Sequence, residues 1–142
     1  MNHAKINLQV SIRAKHLKVT PIRLALLECL EQLQKPISIQ ELVELLPTGL
    51  ADQVTVYRAM QSFVKAGLAR EVNLRHGHVD YESASSSDHH HLVCTSCGRV
   101  EDFEECGMDE LIRDVLKKHP EFSQVQEHAL ELFGTCKSCK KK

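Results

Sequence analysis

The chain has 142 residues, 42% of them hydrophobic, which is enough for one ordinary domain or two small ones. Neither an apolar run of membrane-spanning length nor a charged-then-apolar leader stands in it, so we expect a globular, cytoplasmic protein that is neither secreted nor bound to a membrane. Aromatic residues make up only 4% and tryptophan is absent, which argues against a stacking surface for single-stranded nucleic acid.

The net charge of −1 conceals an asymmetry between the two halves of the chain. Residues 1–70 carry nine Lys or Arg against five Asp or Glu, a net charge of +4, whereas residues 71–142 carry nine against fourteen, a net charge of −5. Seven of the nine histidines and five of the six cysteines also follow residue 70. A basic first half and an acidic second half rich in metal-ligand side chains predict two modules with different partners.

Two helices are predicted first along the chain. Thr20-Pro21 places a capping hydroxyl before a proline at the first helical position, and Pro36 ends this helix region. Ser38 and Glu41 then form a capping box that starts the second helix, whose apolar residues recur at helical spacing.

The third predicted helix carries the candidate DNA contacts. Asp52 caps its start and Gly67 ends it, and one of its faces is apolar throughout. The opposite face presents Thr55, Tyr57 and Arg58. Arginine can read guanine through two hydrogen bonds, while threonine and tyrosine can contact phosphates or a thymine methyl group. On its own this face could also be an ordinary solvated helix surface.

A hairpin and a serine-rich linker follow the third helix. Residues 68–74 and 78–82, separated by a glycine-containing turn, predict two strands, so residues 1–82 form a winged-helix DNA-binding domain. Residues 83–87 predict a flexible hinge. Residues 88–142 then form an α/β domain, with strands at 89–93, 99–103 and 123–133 and a helix that begins at Met108. The fold class is therefore α+β.

The strongest local motif is a pair of C-x-x-C sequences, formed by Cys94, Cys97, Cys136 and Cys139. Each pair lets two thiolates bind one ion across a tight turn, and two pairs give the closed tetrahedral sulfur coordination of structural Zn²⁺. Two disulfides or a redox-active C-x-x-C are the alternatives, and the absence of an export sequence argues against the disulfides.

A run of polar residues, Asp88-His89-His90-His91, lies directly after the predicted hinge. Because alternate residues of a strand face opposite sides, His89 and His91 share one face. With Glu82 they make a two-histidine, one-carboxylate set suited to iron(II) or zinc. His78 lies on the same strand face as Glu82.

The opposite face of this strand predicts a further metal site, built from Asp88, His90, Asp109 and His128. The alternative for His128 is packing beside the apolar residues of the last predicted strand. A histidine run can also be a solvated strand end. A zinc-dependent hydrolase is the enzyme alternative, since an open His/His/Glu site could activate water. The chain shows no nucleophile or oxyanion-hole motif, so we expect no enzyme.

Five motifs in this order closely resemble the ferric uptake regulator (Fur) family: KVTPIR, TVYRAMQSFVKAGLAR, YE, HHHLVCTSCGRVEDF and EHALELFGTCKSC. The resemblance extends from Leu17 to Cys139. It implies a homodimeric repressor that binds a two-fold symmetric operator in double-stranded DNA when metal is bound, and that controls metal-homeostasis or oxidative-stress genes.

The resemblance also implies roles for individual residues. It assigns the four cysteines to structural zinc, Glu82, His89 and His91 to the sensing site, and the opposite strand face to the further site. It assigns Tyr57 and Arg58 to base and phosphate contacts and Lys18 to the minor groove.

The chain departs from the family pattern before its second predicted helix. Members often supply a sensing histidine there, whereas this chain has residues 35–38, KPIS. Either His76, His78 or Asp102 completes the sensing site, with His78 favoured, or the site binds metal more weakly. Members that sense zinc often have a sulfur ligand near Glu82, and those that sense peroxide favour aspartate. This chain has neither residue at that position, and both absences favour Fe²⁺ as the regulatory ion. Zn²⁺ or Mn²⁺ is the alternative ion, and a zinc-uptake or peroxide-responsive role is the alternative function.

Overall fold

The structure, a computed structural model, describes residues 2–84 and 89–140. The chain divides into two compact units, Met1–Ser87 and Asp88–Lys142, here called the first and the second unit. Each contains helices and a three-stranded sheet, which confirms the predicted α+β class. Most of the predicted hinge, residues 85–87, lies outside the described residues, so the hinge stays a prediction. In the described part of the chain, no helix has the length and apolar character needed to cross a membrane.

The first unit is a helical bundle closed by a small antiparallel sheet, the winged-helix arrangement that the sequence predicts. The strand order in this sheet is β1-β3-β2. Its elements are α1 (Asn2–Ala14), α2 (Pro21–Leu33), β1 (Ile37–Ser38), α3 (Ile39–Leu45), α4 (Gln53–Ala66), β2 (Ala69–Val72) and β3 (Asp80–Ser83).

The helix boundaries of the first unit follow from the predicted caps. The backbone N–H of Glu41 donates to Ser38 Oγ at 3.1 Å, and the backbone N–H of Ser38 donates to Glu41 Oε2 at 2.9 Å. The N–H of Thr55 donates to Asp52 Oδ1 at 2.8 Å at the start of α4. Gly67 ends α4 with a φ of 80°, a left-handed conformation that glycine adopts at little cost. These predictions are confirmed.

Helix α1 is not predicted by the sequence, yet it belongs to the core. Leu8 is 7% exposed and Ile12 is fully buried, while Ile6 and Val10 on the same helix are more than half exposed. The helix has no acidic residue in its first turn, and its buried residues recur only once. Its packing against α2 therefore supplies the stability that its own sequence pattern does not indicate.

The strands of the wing are shorter than predicted, and one additional strand exists. The structure pairs β2 and β3 over four residues each, against the predicted 68–74 and 78–82. Strand β1 has only two residues, and Ile37 pairs with Tyr81 of β3. Because a two-residue strand has no detectable alternation, only its pairing with β3 identifies it.

The second unit contains a three-stranded sheet and two helices. Strand β4 is central in the order β5-β4-β6, antiparallel to β5 and parallel to β6. The elements are β4 (His90–Cys94), β5 (Val100–Phe103), α5 (Met108–Lys118), β6 (Glu131–Gly134) and α6 (Lys137–Lys140).

The prediction of a long last strand over 123–133 is wrong for most of its length. Only Glu131–Gly134 forms a strand, and residues 123–130 have no regular secondary structure. The physical reason is the length of the partner, because β4 has five residues and pairs with β6 only from His91 to Cys94. Without a neighbour to receive its backbone hydrogen bonds, an alternating sequence does not remain a strand.

We predict that Ile12→Ala destabilises the first unit by about 2–5 kcal/mol, because it removes a fully buried side chain and leaves a cavity. The measurement is urea unfolding followed by tyrosine fluorescence, since both tyrosines of the chain, Tyr57 and Tyr81, lie in this unit. Val10→Ala on the exposed side of the same helix is the control and should change stability by less than about 0.5 kcal/mol. Equal effects of the two changes would show that α1 is not part of the core.

Candidate metal centres and nucleic-acid interface

Helix α4 buries one face and exposes the other. Val56 and Met60 are fully buried in the core of the first unit. The three predicted DNA contacts, Thr55, Tyr57 and Arg58, are exposed on the same helix, and Tyr57 is 51% exposed. The helix therefore presents a hydroxyl, a phenol and a guanidinium to solvent from a rigid support, as readout of DNA in the major groove requires.

Lys18 lies in the segment that joins α1 to α2, and its residue is exposed. Its backbone carbonyl accepts a hydrogen bond from Arg23 Nη1 at 2.7 Å, which ties this segment to α2. The backbone position of Lys18 is thus fixed while its side chain is left in solvent. Its contact with the minor groove stays a prediction.

The four cysteines of the two C-x-x-C motifs come together in the second unit, and we call them the four-cysteine cluster: Cys94, Cys97, Cys136 and Cys139. Their sulfur atoms all lie within 4.8 Å of one another. The sulfur atoms of Cys97 and Cys136 are 3.8 Å apart. A tetrahedron with Zn–S bonds of about 2.3 Å has sulfur atoms about 3.8 Å apart, so the donor set fits structural zinc. A disulfide would need about 2.05 Å.

Local structure explains why these sulfur atoms converge. Cys94 ends β4, and Gly98 turns the chain with a φ of 79° directly after the first C-x-x-C. The second C-x-x-C lies where β6 passes into α6, and β6 runs parallel beside β4. The parallel pairing therefore delivers both motifs to the same end of the sheet.

The cluster also perturbs the acidity of its thiols. The backbone N–H of Cys136 donates to Cys94 Sγ at 3.3 Å and, as the largest of several causes, lowers the pKa of Cys94 to about 6. The thiol of Cys139 has neighbouring sulfur atoms as acceptors, foremost that of Cys136, and its pKa is raised to about 12. Without metal at neutral pH, the cluster therefore contains both thiolate and thiol groups. A dication favours four thiolates, so its binding releases protons.

The histidine run places two imidazoles side by side in the second unit. The rings of His89 and His91 lie 5.0 Å apart between centroids, as expected for residues that alternate along a strand. His91 is buried, and acidic groups flank it. Its Nε2 lies 3.9 Å from Asp102 Oδ1 and its Nδ1 lies 3.7 Å from Glu131 Oε1. Asp102 was among the predicted candidates, whereas Glu131 was not, since only the pairing of β4 with β6 brings it near.

Glu82 is buried in β3 of the first unit at 3% exposure. Its Oε1 lies 3.1 Å from Arg70 Nε, because Arg70 and Glu82 are register partners in β2 and β3. Sequence reasoning missed Arg70, which depends on the strand register and not on any motif. The ion pair balances the charge of a buried carboxylate that is also a candidate metal ligand.

Another group of ligands forms around His90 in the second unit. Its ring centroid lies 5.2 Å from that of His128, and Cys106 Sγ lies 3.5 Å from His128 Nε2. Cys106, to which the sequence assigned no role, is exposed, so its default interpretation as a buried thiol is wrong. The packed-strand alternative for His128 is wrong as well, because His128 is exposed and outside β6. Asp109 is exposed at the start of α5 and not in this group, and Asp88 lies outside the described residues.

His78, the predicted fourth ligand of the sensing site, has close partners within the first unit. Its Nδ1 lies 3.4 Å from His76 Nδ1, and its Nε2 lies 3.2 Å from Asp80 Oδ1. Asp80 is buried, and desolvation by burial raises its pKa. Whether His78 also joins the sensing site stays a prediction.

We predict that Cys136→Ser abolishes tight zinc binding and unfolds the second unit, because a structural zinc site contributes about 10 kcal/mol or more to folding. Metal analysis would measure zinc, and amide hydrogen exchange in β4 and β5 would measure folding. The control is Cys29→Ala, which removes a cysteine of the first unit that lies in no candidate metal group of the described residues, and it should retain the tightly bound zinc. A zinc-free Cys136→Ser protein with protected β4 and β5 would contradict the structural role.

The comparisons with known proteins agree with this geometry. The model of the ferric uptake regulator family matches residues 14–133. A ferric uptake regulation protein of Legionella pneumophila is 37% identical over 128 residues, covering 87% of this chain and 91% of that protein. A peroxide operon regulator of Bacillus subtilis (strain 168) is 30% identical over 140 residues, covering 93% and 90%.

A solved structure supports the same assignment. The ferric uptake regulator of Vibrio cholerae has a TM-score of 0.74 and 30% identity to this chain, covering 90% of this chain and 98% of that one. The family match spans well over half of the chain, and the relatives are matched over nearly their whole length. This chain belongs to the ferric uptake regulator family.

Proposed function

We propose that this protein is a metal-dependent transcriptional repressor that binds a two-fold symmetric operator in double-stranded DNA as a homodimer. The observation that carries the proposal is the division of α4, which buries Val56 and Met60 completely and exposes Tyr57 and Arg58. Members of this family named for ferric uptake and peroxide regulation are among the relatives of the chain. Operator DNA lies in the cytoplasm, where such a protein acts.

The second unit supports the homodimer. Leu92 and Leu132 are register partners in β4 and β6, and each is 47% exposed. Over its whole length, Met108–Lys118, helix α5 has no buried residue. Its apolar residues Leu111 and Val115 are 52% and 43% exposed. Apolar side chains exposed on both the sheet and the helix of a small unit are typical of a surface that another protein covers. We propose a second copy of this unit, related by two-fold symmetry, as that protein.

For the regulatory metal, we propose the sensing set of Glu82, His89 and His91. Glu82 precedes the predicted hinge in the chain and the two histidines follow it. One ion held by both sides favours one arrangement of the two domains, and so one spacing of the recognition helices in the dimer. Metal then shifts the population towards the DNA-binding arrangement in proportion to its differential affinity for that arrangement.

The iron-type role is favoured by the chemistry of this set. Two imidazoles and a carboxylate suit iron(II), whereas a sulfur ligand at position 82 would favour zinc. The peroxide-responsive role is the second candidate, supported by the relative named as a peroxide operon regulator. Zinc and manganese are the alternative regulatory ions.

A further site is proposed around His90 and His128 on the opposite face of β4, with Asp88 and Asp109 as candidate ligands from the sequence alone. The 5.2 Å separation of the His90 and His128 rings supports it. The thiol of Cys106 beside His128 adds a soft ligand that the sequence prediction did not include.

For the DNA-binding role, we predict that Arg58→Ala weakens binding by about 1–3 kcal/mol, because a bidentate contact with guanine is lost. The metal-loaded wild-type protein first selects a duplex from a random pool. The measurement is the affinity of each variant for this duplex and for duplexes in which single base pairs are changed. Arg58→Ala should relax selectivity at one base pair. Lys65→Ala, which removes a positive charge from the last turn of α4, should weaken binding to all DNA sequences alike. The reverse pattern would invert the assignment. If the protein had no affinity for duplex DNA at any salt concentration, the zinc-dependent hydrolase would be favoured instead.

For the sensing role, we predict that His89→Ala and His91→Ala leave a folded, zinc-containing dimer whose DNA affinity no longer rises when iron(II) is added. His90→Ala, on the other strand face, should have a smaller effect. His119→Ala, which removes an exposed histidine after α5, is the control and should respond as wild type does. The measurement is a metal titration of DNA binding with zinc content determined in parallel. An unchanged titration for both His89→Ala and His91→Ala would exclude this sensing set.

A further inference from the structure

The wing of the first unit carries a second group of metal-ligand side chains, which we call the wing triad: His76, His78 and Asp80. One ligand atom from each lies within 4.8 Å of the other two. His76 Nε2 is 3.1 Å from Asp80 Oδ2, His78 Nε2 is 3.2 Å from Asp80 Oδ1, and the two Nδ1 atoms are 3.4 Å apart. His76 and His78 were candidates to complete the sensing site, whereas Asp80 was assigned to no site.

The wing triad has three short contacts but fewer than three protons with which to form hydrogen bonds. A hydrogen bond needs one proton, so the Nδ1–Nδ1 contact and the two Nε2–carboxylate contacts together need three. Two neutral imidazoles carry one proton each, and an ionised carboxylate carries none. One contact therefore lacks a proton unless a cation joins the group, either a third proton or a metal ion.

The position of the unsatisfied contact is visible at Asp80. Its residue is 5% exposed, and its Oδ1 is a buried atom without a hydrogen-bond partner in the described part of the chain. An unsatisfied buried carboxylate oxygen is costly, because it has lost its hydration without compensation. A metal ion bound to Oδ1 would supply that compensation directly.

The three side chains of the wing triad lie on backbone of two kinds, a central strand and an exposed turn, and this suits a binding site. Asp80 lies in β3, the central strand, with Ser38 of β1 and Val72 of β2 as its register partners. The carboxylate is therefore fixed by the sheet. His76 and His78 lie in the exposed turn before β3 on either side of Gly77, whose φ of 90° allows the chain to bend between them. The imidazoles can adjust to an ion while the carboxylate stays in place.

We propose that the wing triad is a binding site for one divalent transition-metal ion, with both imidazoles and the Asp80 carboxylate as ligands. One ligand atom from each residue lies within 4.8 Å of the other two, close to the separation of at most about 4.2 Å between two ligand atoms that each lie about 2.1 Å from one ion. Two imidazoles and one carboxylate suit borderline ions such as Zn²⁺, Ni²⁺ and Fe²⁺. The remaining coordination positions face solvent, because both histidines are exposed.

The location gives the site a connection to DNA binding, and this part of the inference depends on the proposed function. His78 and Tyr57 line the same cleft, of about 410 Å³, beside the outer face of α4. An ion held there adds positive charge next to the candidate DNA contacts, where it favours binding of phosphate. The wing triad would thus tighten DNA binding independently of the sensing set.

The test is Ni²⁺ binding to the zinc-loaded, full-length protein, measured by equilibrium dialysis without DNA. His76→Ala should lose one bound Ni²⁺ per chain or bind it at least about tenfold more weakly. Asp80→Asn should do the same, and urea unfolding followed by tyrosine fluorescence would show that both variants are folded. His119→Ala is the matched control and should bind as wild type does. Because the measurement uses no DNA, it can fail while the repressor function holds.

Three outcomes would overturn the site. Wild-type stoichiometry and affinity in a folded His76→Ala protein would show that a third proton, not a metal ion, completes the group. Loss of Ni²⁺ in His78→Ala but not in His76→Ala or Asp80→Asn would assign His78 to the sensing set alone. Loss of the same single ion in His76→Ala and in His91→Ala, with no further loss in the double variant, would show one shared site instead of two.

Discussion

The architecture of the second unit depends on the convergence of four sulfur atoms at one end of its sheet. Among residues 89–140, Val93 and Cys94 are the only buried hydrophobic residues, so the apolar core contributes little. The four-cysteine cluster joins the end of β4 to the segment after β6, and everything between them, including β5 and α5, forms one closed loop. A small unit with so little core needs a metal or a partner to be stable. The exposed apolar residues of its sheet and of α5 suggest that it uses both.

The first unit obeys a different constraint. Its helices and Tyr81 of β3 share one continuous hydrophobic core, with Ile12, Leu26 and Phe63 fully buried. This core fixes α4 in one orientation, which is what a recognition helix needs in order to present the same side chains to every operator. None of its candidate metal ligands belongs to this hydrophobic core.

The candidate metal sites differ in the softness and protonation of their ligands, and this difference separates their roles. The cluster of four thiolates suits zinc in a closed site that exchanges slowly. The imidazole and carboxylate sets suit ions that are bound more weakly and reversibly, as a sensor requires. Buried carboxylates recur in these sets, with Glu82 beside Arg70 and Asp80 beside two histidines. Arg70 reduces the cost of burying Glu82, whereas Asp80 has His76 beside its Oδ2 but a buried Oδ1 without a hydrogen-bond partner in the described part of the chain.

The sequence by itself determined the features that depend on local chemistry. The capping residues Ser38 and Asp52, the end of α4 at Gly67 and the two C-x-x-C motifs were all predicted, because hydrogen bonding and backbone geometry within a few residues decide them. The buried and exposed faces of α4 followed from helical periodicity. The motif order that resembles the Fur family was likewise a property of the chain alone.

The tertiary structure decided what depends on pairing between distant segments. Register placed Arg70 opposite Glu82 and Glu131 beside His91, and the strand ends predicted from the sequence were not accurate enough to fix that register. Helix α1 exists because a core receives Leu8 and Ile12, and residues 123–130 are not a strand because β4 is too short to pair with them. The grouping of His76 and His78 around Asp80 required a turn whose path depends on the strands on either side.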